Sequence, residues 1–131
     1  MRVAEYVVPR ASGDTADAEC TVITFGSHQG GGLDANVTRW VQQFGPLSGP
    51  PTRTTRFVQS APVTRVELAG TYHPMMMPGG PDAGAQPDSR LIGAIVQVPS
   101  GEWFFKMTGP DATVKAAAPE FDAMIDSVRA P

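Results

Sequence analysis

The stretch from Leu91 to Gly109 (LIGAIVQVPSGEWFFKMTG) restricts the fold more than any other part of the chain. Nearly every residue from Leu91 to Val98 is apolar or small, and such a run bounded by turn residues fits a strand buried on both faces. A tight turn at Pro99-Ser100-Gly101-Glu102 leads into a second strand. There Trp103, Phe105 and Met107 share one face, and Phe104 and Lys106 share the other. A strand with no solvent side needs cover above and below, so the remaining segments are expected as layers around this hairpin.

Upstream, Arg2 to Pro9 is β-rich and closed by Pro9, and Glu19 to Phe25 is a strand with apolar groups on both faces. A polar turn region separates the two, which are expected to pair as a hairpin. Leu33, Val37, Trp40, Val41 and Phe44 then make an amphipathic helical stripe. Asp34 favours its N-terminal end, and Gly45-Pro46 stops it. Leu47 to Pro51 reads as a loop. Thr52 to Ser60, rich in Thr and Arg, reads as an edge strand open to sheet-extended pairing. In Pro62 to Tyr72, Thr64, Val66, Leu68 and Gly70 face one way, while Arg65 and Glu67 face a partly solvated side. Met75 to Asp88 holds three prolines and three glycines and reads as a long exposed loop. The last helix is expected to start at Pro110 and run to Val128, kinked or split at Pro119.

The expected fold is α+β: one domain over residues 1–131, with a mainly antiparallel sheet of about six strands in the order ββαββββα. The two-sided apolarity of the central strands predicts helices on both faces, an α/β/α sandwich; both helices on one face is the alternative.

At 131 residues the chain can bury one real core. Its net charge of −3, with arginines scattered from Arg2 to Arg129, leaves no basic stripe for a nucleic acid. No run approaches membrane-spanning length. Cys20 is the sole cysteine, which excludes an intrachain disulfide and a cysteine-based zinc site within one chain.

Phe25-Gly26, Gln29-Gly30-Gly31, Asn36, Arg39-Trp40 and Phe44, followed by Gly93-Ala94-Ile95-Val96 and Trp103 to Pro110 (WFFKMTGP), form a pattern spread over most of the chain. It resembles a group of bacterial domains of unassigned activity that sit behind an export or lipoprotein signal and have a PsbP-like fold. That superfamily takes its name from an extrinsic subunit of photosystem II. The resemblance implies a binding or assembly factor, and a periplasmic or cell-envelope location with a leader removed. Without an export signal the same chain would be a soluble cytoplasmic one.

Two loops carry candidate ligand chemistry. His28 with Gly30, Gly31 and Gly32 precedes a helix, where backbone amides and the helix dipole could hold an anion. The conformational alternative is that the glycines supply positive φ and a close approach to the sheet. His73 with Met75, Met76 and Met77 offers imidazole and thioethers, a soft set suited to copper. Its alternative is adaptable apolar cover over a sheet edge. Cys20 lies in an apolar strand and reads as an inert core thiol, and no nucleophile, base and orienter can be assembled. Trp40 and Trp103 read as core by their stripe positions.

The function expected is therefore a non-catalytic binding or assembly module of the cell envelope. It would use no cofactor, recognise a protein or small ligand through its loops, and exist as a monomer or weak dimer. Copper binding is the alternative. Calorimetric titration with Cu(I) and Cu(II) checks it: binding should fall in His73→Ala, and absent or unchanged binding removes the copper reading.

Overall fold

The computed structural model describes residues 2–11, 13–14, 16–26, 32–73, 86–99 and 101–127. In chain order the elements are β1 (Arg2–Val8), β2 (Ala18–Gly26), α1 (Leu33–Gln42), β3 (Phe44–Leu47), β4 (Thr52–Val58), β5 (Ala61–Tyr72), β6 (Gln86–Val98), β7 (Gly101–Pro110) and α2 (Asp111–Asp126). The fold is α+β, with seven strands in one sheet of order β1-β2-β7-β6-β5-β3; β4 pairs with another length of β5. Every strand pairing is antiparallel.

The hairpin expected at Leu91 to Gly109 is present as β6 and β7, running in register from Ser89↔Pro110 to Val98↔Gly101. Flanked by β5 and β7, β6 buries six consecutive residues, Leu91 to Val96. Pleating sends alternate residues to opposite sides, and the two sets join different clusters. Ile92, Ala94 and Val96 pack with Phe105, Met107 and the α2 residues Val114, Phe121 and Ile125. Leu91 and Ile95 pack with Val66, Leu68, Phe104 and Trp40 of α1.

Between Leu91 and Ile95 stands Gly93, and a Cβ there would overlap the six-membered ring of Trp40. The missing side chain is what lets α1 approach the sheet. Trp40 also meets Phe104 edge-on, with ring centroids 6.5 Å apart, a favoured aromatic geometry.

Several expectations are corrected. The order is ββαβββββα, because α1 ends at Gln42 and Phe44–Leu47 forms a short extra strand on the Gly70–Tyr72 end of β5. Phe44 fits the helical stripe by spacing, yet reaches the Trp40 cluster from that strand. Helical spacing carried the stripe two residues too far, because strand pairing is a long-range contact that spacing does not reveal. Gln86, Pro87 and Asp88, expected in a loop, begin β6; residues 74–85 lie outside the described residues. Pro110 is the N-cap of α2 and not its first residue, and α2 runs as one helix through Pro119. Pro119 and Lys115, whose carbonyl loses its helical donor, are both exposed, so the loss falls where water can compensate. Asp34 stands in the first turn of α1 without a capping bond and pairs with Arg53 of β4 at 2.8 Å.

The partly solvated face of β5 is organised by charge. Arg65 binds Asp122 of α2 at 2.9 Å and Glu67 at 2.7 Å; Arg90 of β6 also binds Glu67 and reaches Asp111 of α2 at 2.7 Å. Burial alone would push the Asp111 carboxyl up, but the Arg90 and Lys115 hydrogen bonds and charges hold it below the usual range. The network ties α2 to the sheet beyond the reach of the apolar cluster.

Gly93→Ala is expected to lower stability by about 1–3 kcal/mol, the usual cost of overpacking a tight core. Urea denaturation checks it, and wild-type stability in the variant would show that α1 does not rest on this position.

Candidate functional site

At one end of the sheet, the first residues of β2 and β6 and the last of β5 and β7 surround a cavity of about 700 Å³. Its lining includes Asp14, Asp17, Glu19, Tyr72, Asp88 and Thr108. The size falls within the range of small-molecule sites, roughly 300–1,000 Å³.

Local hydrogen bonding builds each wall. The β1–β2 connection turns at Asp14, whose N–H donates to the Ala11 carbonyl at 3.0 Å, with Gly13 beside it at φ 92°. Asp17 accepts from the Arg10 N–H at 2.9 Å and from Arg10 Nε at 3.3 Å, closing the loop on itself. Buried Thr113 in the first turn of α2 anchors it: its hydroxyl accepts from the Ala11 N–H at 2.9 Å and donates to Asp14. On the floor, Glu19 and Thr108 are direct cross-strand partners. A Cβ on the adjacent Gly109 would collide with Ala18, so glycine permits the close approach of β7 to β2 there. Across the mouth, the Ser89 hydroxyl donates to the Gln86 carbonyl at 2.9 Å, and Asp88 adopts φ 52° as β6 begins.

Behind this lining lies a polar cluster on the α1 side of the sheet. Tyr72 packs against Phe44 at 5.1 Å between ring centroids, and Lys106 Nζ lies 5.7 Å from the Tyr72 ring centre. Lys106 donates to Gln43 Oε1 at 2.7 Å. Burial lowers the Lys106 pKa from 10.5 to about 8, although the Glu19 charge works in the opposite direction. Burial and the Glu19 charge both push the Tyr72 phenol up, partly offset by a hydrogen bond with Thr108. The described cavity lining contains four carboxylates, an aromatic ring and hydroxyls, but no Lys, Arg or His. Such a set can bind a positive charge through carboxylates and the ring face.

Of the candidate ligand residues singled out in the sequence, Gly32 and His73 are among the described residues. His28, Gly30 and Gly31, and Met75, Met76 and Met77, lie outside the described residues. Gly32 is the N-cap of α1 at φ 91°, and its carbonyl accepts from Asn36 Nδ2 at 2.6 Å. It therefore supplies the positive φ considered for it, while Asp34 in the same turn works against an anion. His73 Nε2 lies 2.8 Å from the Gly45 carbonyl, and its backbone N–H donates to the Gln43 carbonyl at 2.7 Å. These contacts place His73 against the α1–β3 junction. No group of three or more His, Cys, Asp or Glu residues among those described could hold a metal ion. Cys20 lies elsewhere, in a groove between β1 and α2, and burial followed by the Glu19 charge raises its thiol to about 11. It is protonated near neutral pH and a poor nucleophile.

Sequence reasoning missed the cavity because its carboxylates come from separate segments: Asp14 and Asp17 from the polar turn region, Glu19 from the start of the next strand, and Asp88 from the end of the long loop.

No protein-family model matches the chain, and no curated protein matches it. Among solved structures it is similar to PA94, a Pseudomonas aeruginosa protein of unknown function described as a candidate regulator. The TM-score is 0.64 at 11% identity, covering 98% of this chain and 82% of that one. At that identity the likeness concerns the fold.

The Lys106 environment predicts a pH dependence. Folding disfavours the lysine cation, so between pH 8 and 10.5 the unfolded chain binds more protons and stability rises with pH. Below about 8 the penalty is complete. Cys20 and Tyr72 act in the opposite sense at alkaline pH, because both are held protonated in the fold. The difference between wild type and Lys106→Met isolates the lysine. Urea denaturation should show the variant more stable near neutral pH, with the gap narrowing across that window; a constant gap would show that the amine is not desolvated.

Proposed function

We propose that this chain is a non-catalytic binding module that accepts a small cationic ligand, an amine or polyamine, in the cavity at the strand ends. The observation that carries the reading is the lining: carboxylates of Asp14, Asp17, Glu19 and Asp88 around the Tyr72 ring, with no basic side chain among the described lining residues. A ligand amine would exchange water for charge-assisted hydrogen bonds there, and the ring face would favour the same charge. The cavity has no paired nucleophile and base among the described residues, which supports recognition over catalysis.

The scaffold in this proposal is a three-layer α/β/α arrangement of the PsbP-like kind. Its support is the split of β6, whose alternate residues pack with α1 and with α2. The proposal retains the cell-envelope setting that the resemblance implies, and fractionation of the native cells is its check. The coarser statement, that no helix among the described residues is long and apolar enough to cross a membrane, stands independently.

Calorimetric titration with a panel of small amines and polyamines, alongside dicarboxylates of similar size, tests the ligand class. Amines should bind and dicarboxylates should not. Glu19→Gln should weaken amine binding by about tenfold, the scale of one charge-assisted contact. Failure of every amine to bind, or equal binding of the dicarboxylates, would exclude this function.

A further inference from the structure

The two lateral edges of the sheet differ in chemistry. On the β5 side, β4 carries Arg53 and Arg56, paired with Asp34 and Asp126, around the exposed Phe57. Charges of that kind discourage another strand from pairing. At the other edge β1 pairs, among the described residues, only with β2, and the last four residues of the strand are Glu5, Tyr6, Val7 and Val8. Tyr6 is 53% exposed and Val7 71% exposed. They project to opposite sides of the strand, so this edge is apolar above and below.

Beside it lies an apolar groove of about 220 Å³ between β1 and α2, lined by Tyr6, Val8, Met107, Ala117, Phe121 and Met124 among others. Glu120 is the one charged residue among the described residues of that lining.

We propose that β1 is a homodimer edge, pairing antiparallel with β1 of a second copy about a two-fold axis through Val7, so that the two sheets become one. The sequence of the strand is self-complementary in this register. Val7 meets its own copy on one side, and each Tyr6 meets the partner copy's Val8 on the other. Tyr6 from each copy then lies at the mouth of the other's groove, which has room for an aromatic side chain. Glu5 falls opposite Pro9, so no like charges oppose one another. A register centred on Glu5 would set two carboxylates face to face, and one centred on Val8 would set Tyr6 against Arg10. The apolar seam and the groove select the Val7-centred pairing.

Sedimentation analysis from micromolar concentrations upward tests this on the whole chain. Wild type should associate to twice the chain mass. Val7→Lys, which places two ammonium groups on the axis, and Tyr6→Lys should each be monomeric, with circular dichroism unchanged because both positions are exposed. Thr54→Lys on the opposite edge should remain dimeric. Copper-phenanthroline oxidation then reads the register: Val7→Cys should form a covalent dimer, because the two Cβ atoms oppose each other at about 4.5 Å, the upper end of disulfide reach, whereas the two Glu5→Cys positions would lie four residues apart along the seam, roughly 13 Å, and should not link. The buried Cys20 does not compete. A monomer at every concentration would overturn the proposal. So would a dimer that survives both lysine variants, or Glu5→Cys linking as readily as Val7→Cys.

Discussion

The rest of the structure answers to one constraint: β6 buries six consecutive residues, Leu91 to Val96, and so needs apolar cover on each side of its pleat. One set of its alternate residues packs with Val114, Phe121 and Ile125 of α2, and the other with Trp40 of α1 and Phe44. At Gly93 the fit is tight, because the Trp40 ring occupies the space a side chain would take. A large aromatic against a bare backbone gives dense contact and little tolerance for change.

Polar chemistry is distributed according to distance from that core. Where α2 extends past its apolar stripe, Arg65 and Arg90 bridge carboxylates of the sheet and the helix. The burial cost of these groups is offset by reciprocal hydrogen bonds. The cavity follows another logic, with four carboxylates around Tyr72 and no basic residue in the described lining. Lys106 lies one layer behind, its cation disfavoured by burial. The same strand thus supplies core through Phe104 and Phe105 and, two residues later, a polar group beside the cavity floor.

How much could be read in advance depended on the range of the interactions. The β6–β7 hairpin, the alternation of Trp103 to Met107, the edge position of β4 and the stripe of α1 up to Val41 were legible, because periodicity and turn residues act over a few positions. Phe44 was misplaced because a residue at helical spacing can fill the same cluster from a strand. Pro119 was over-weighted as a breaker, since its cost depends on whether the freed carbonyl faces water. Asp34 suggested helix capping and was instead engaged by Arg53, a partner nineteen positions away. The cavity was invisible: Asp14, Glu19, Tyr72 and Asp88 converge only once four strand ends lie side by side.

The sequence by itself determined that the chain forms an α+β structure around a hairpin buried on both faces, because apolar content and alternation are local properties of the strand. Tertiary structure alone decided that Phe44–Leu47 adds a seventh strand, that Gly93 exists to seat Trp40, and that scattered carboxylates share one cavity. Those outcomes depend on which segments become neighbours, and neighbourhood between residues far apart in the chain is set by packing the whole sheet, which no local pattern encodes.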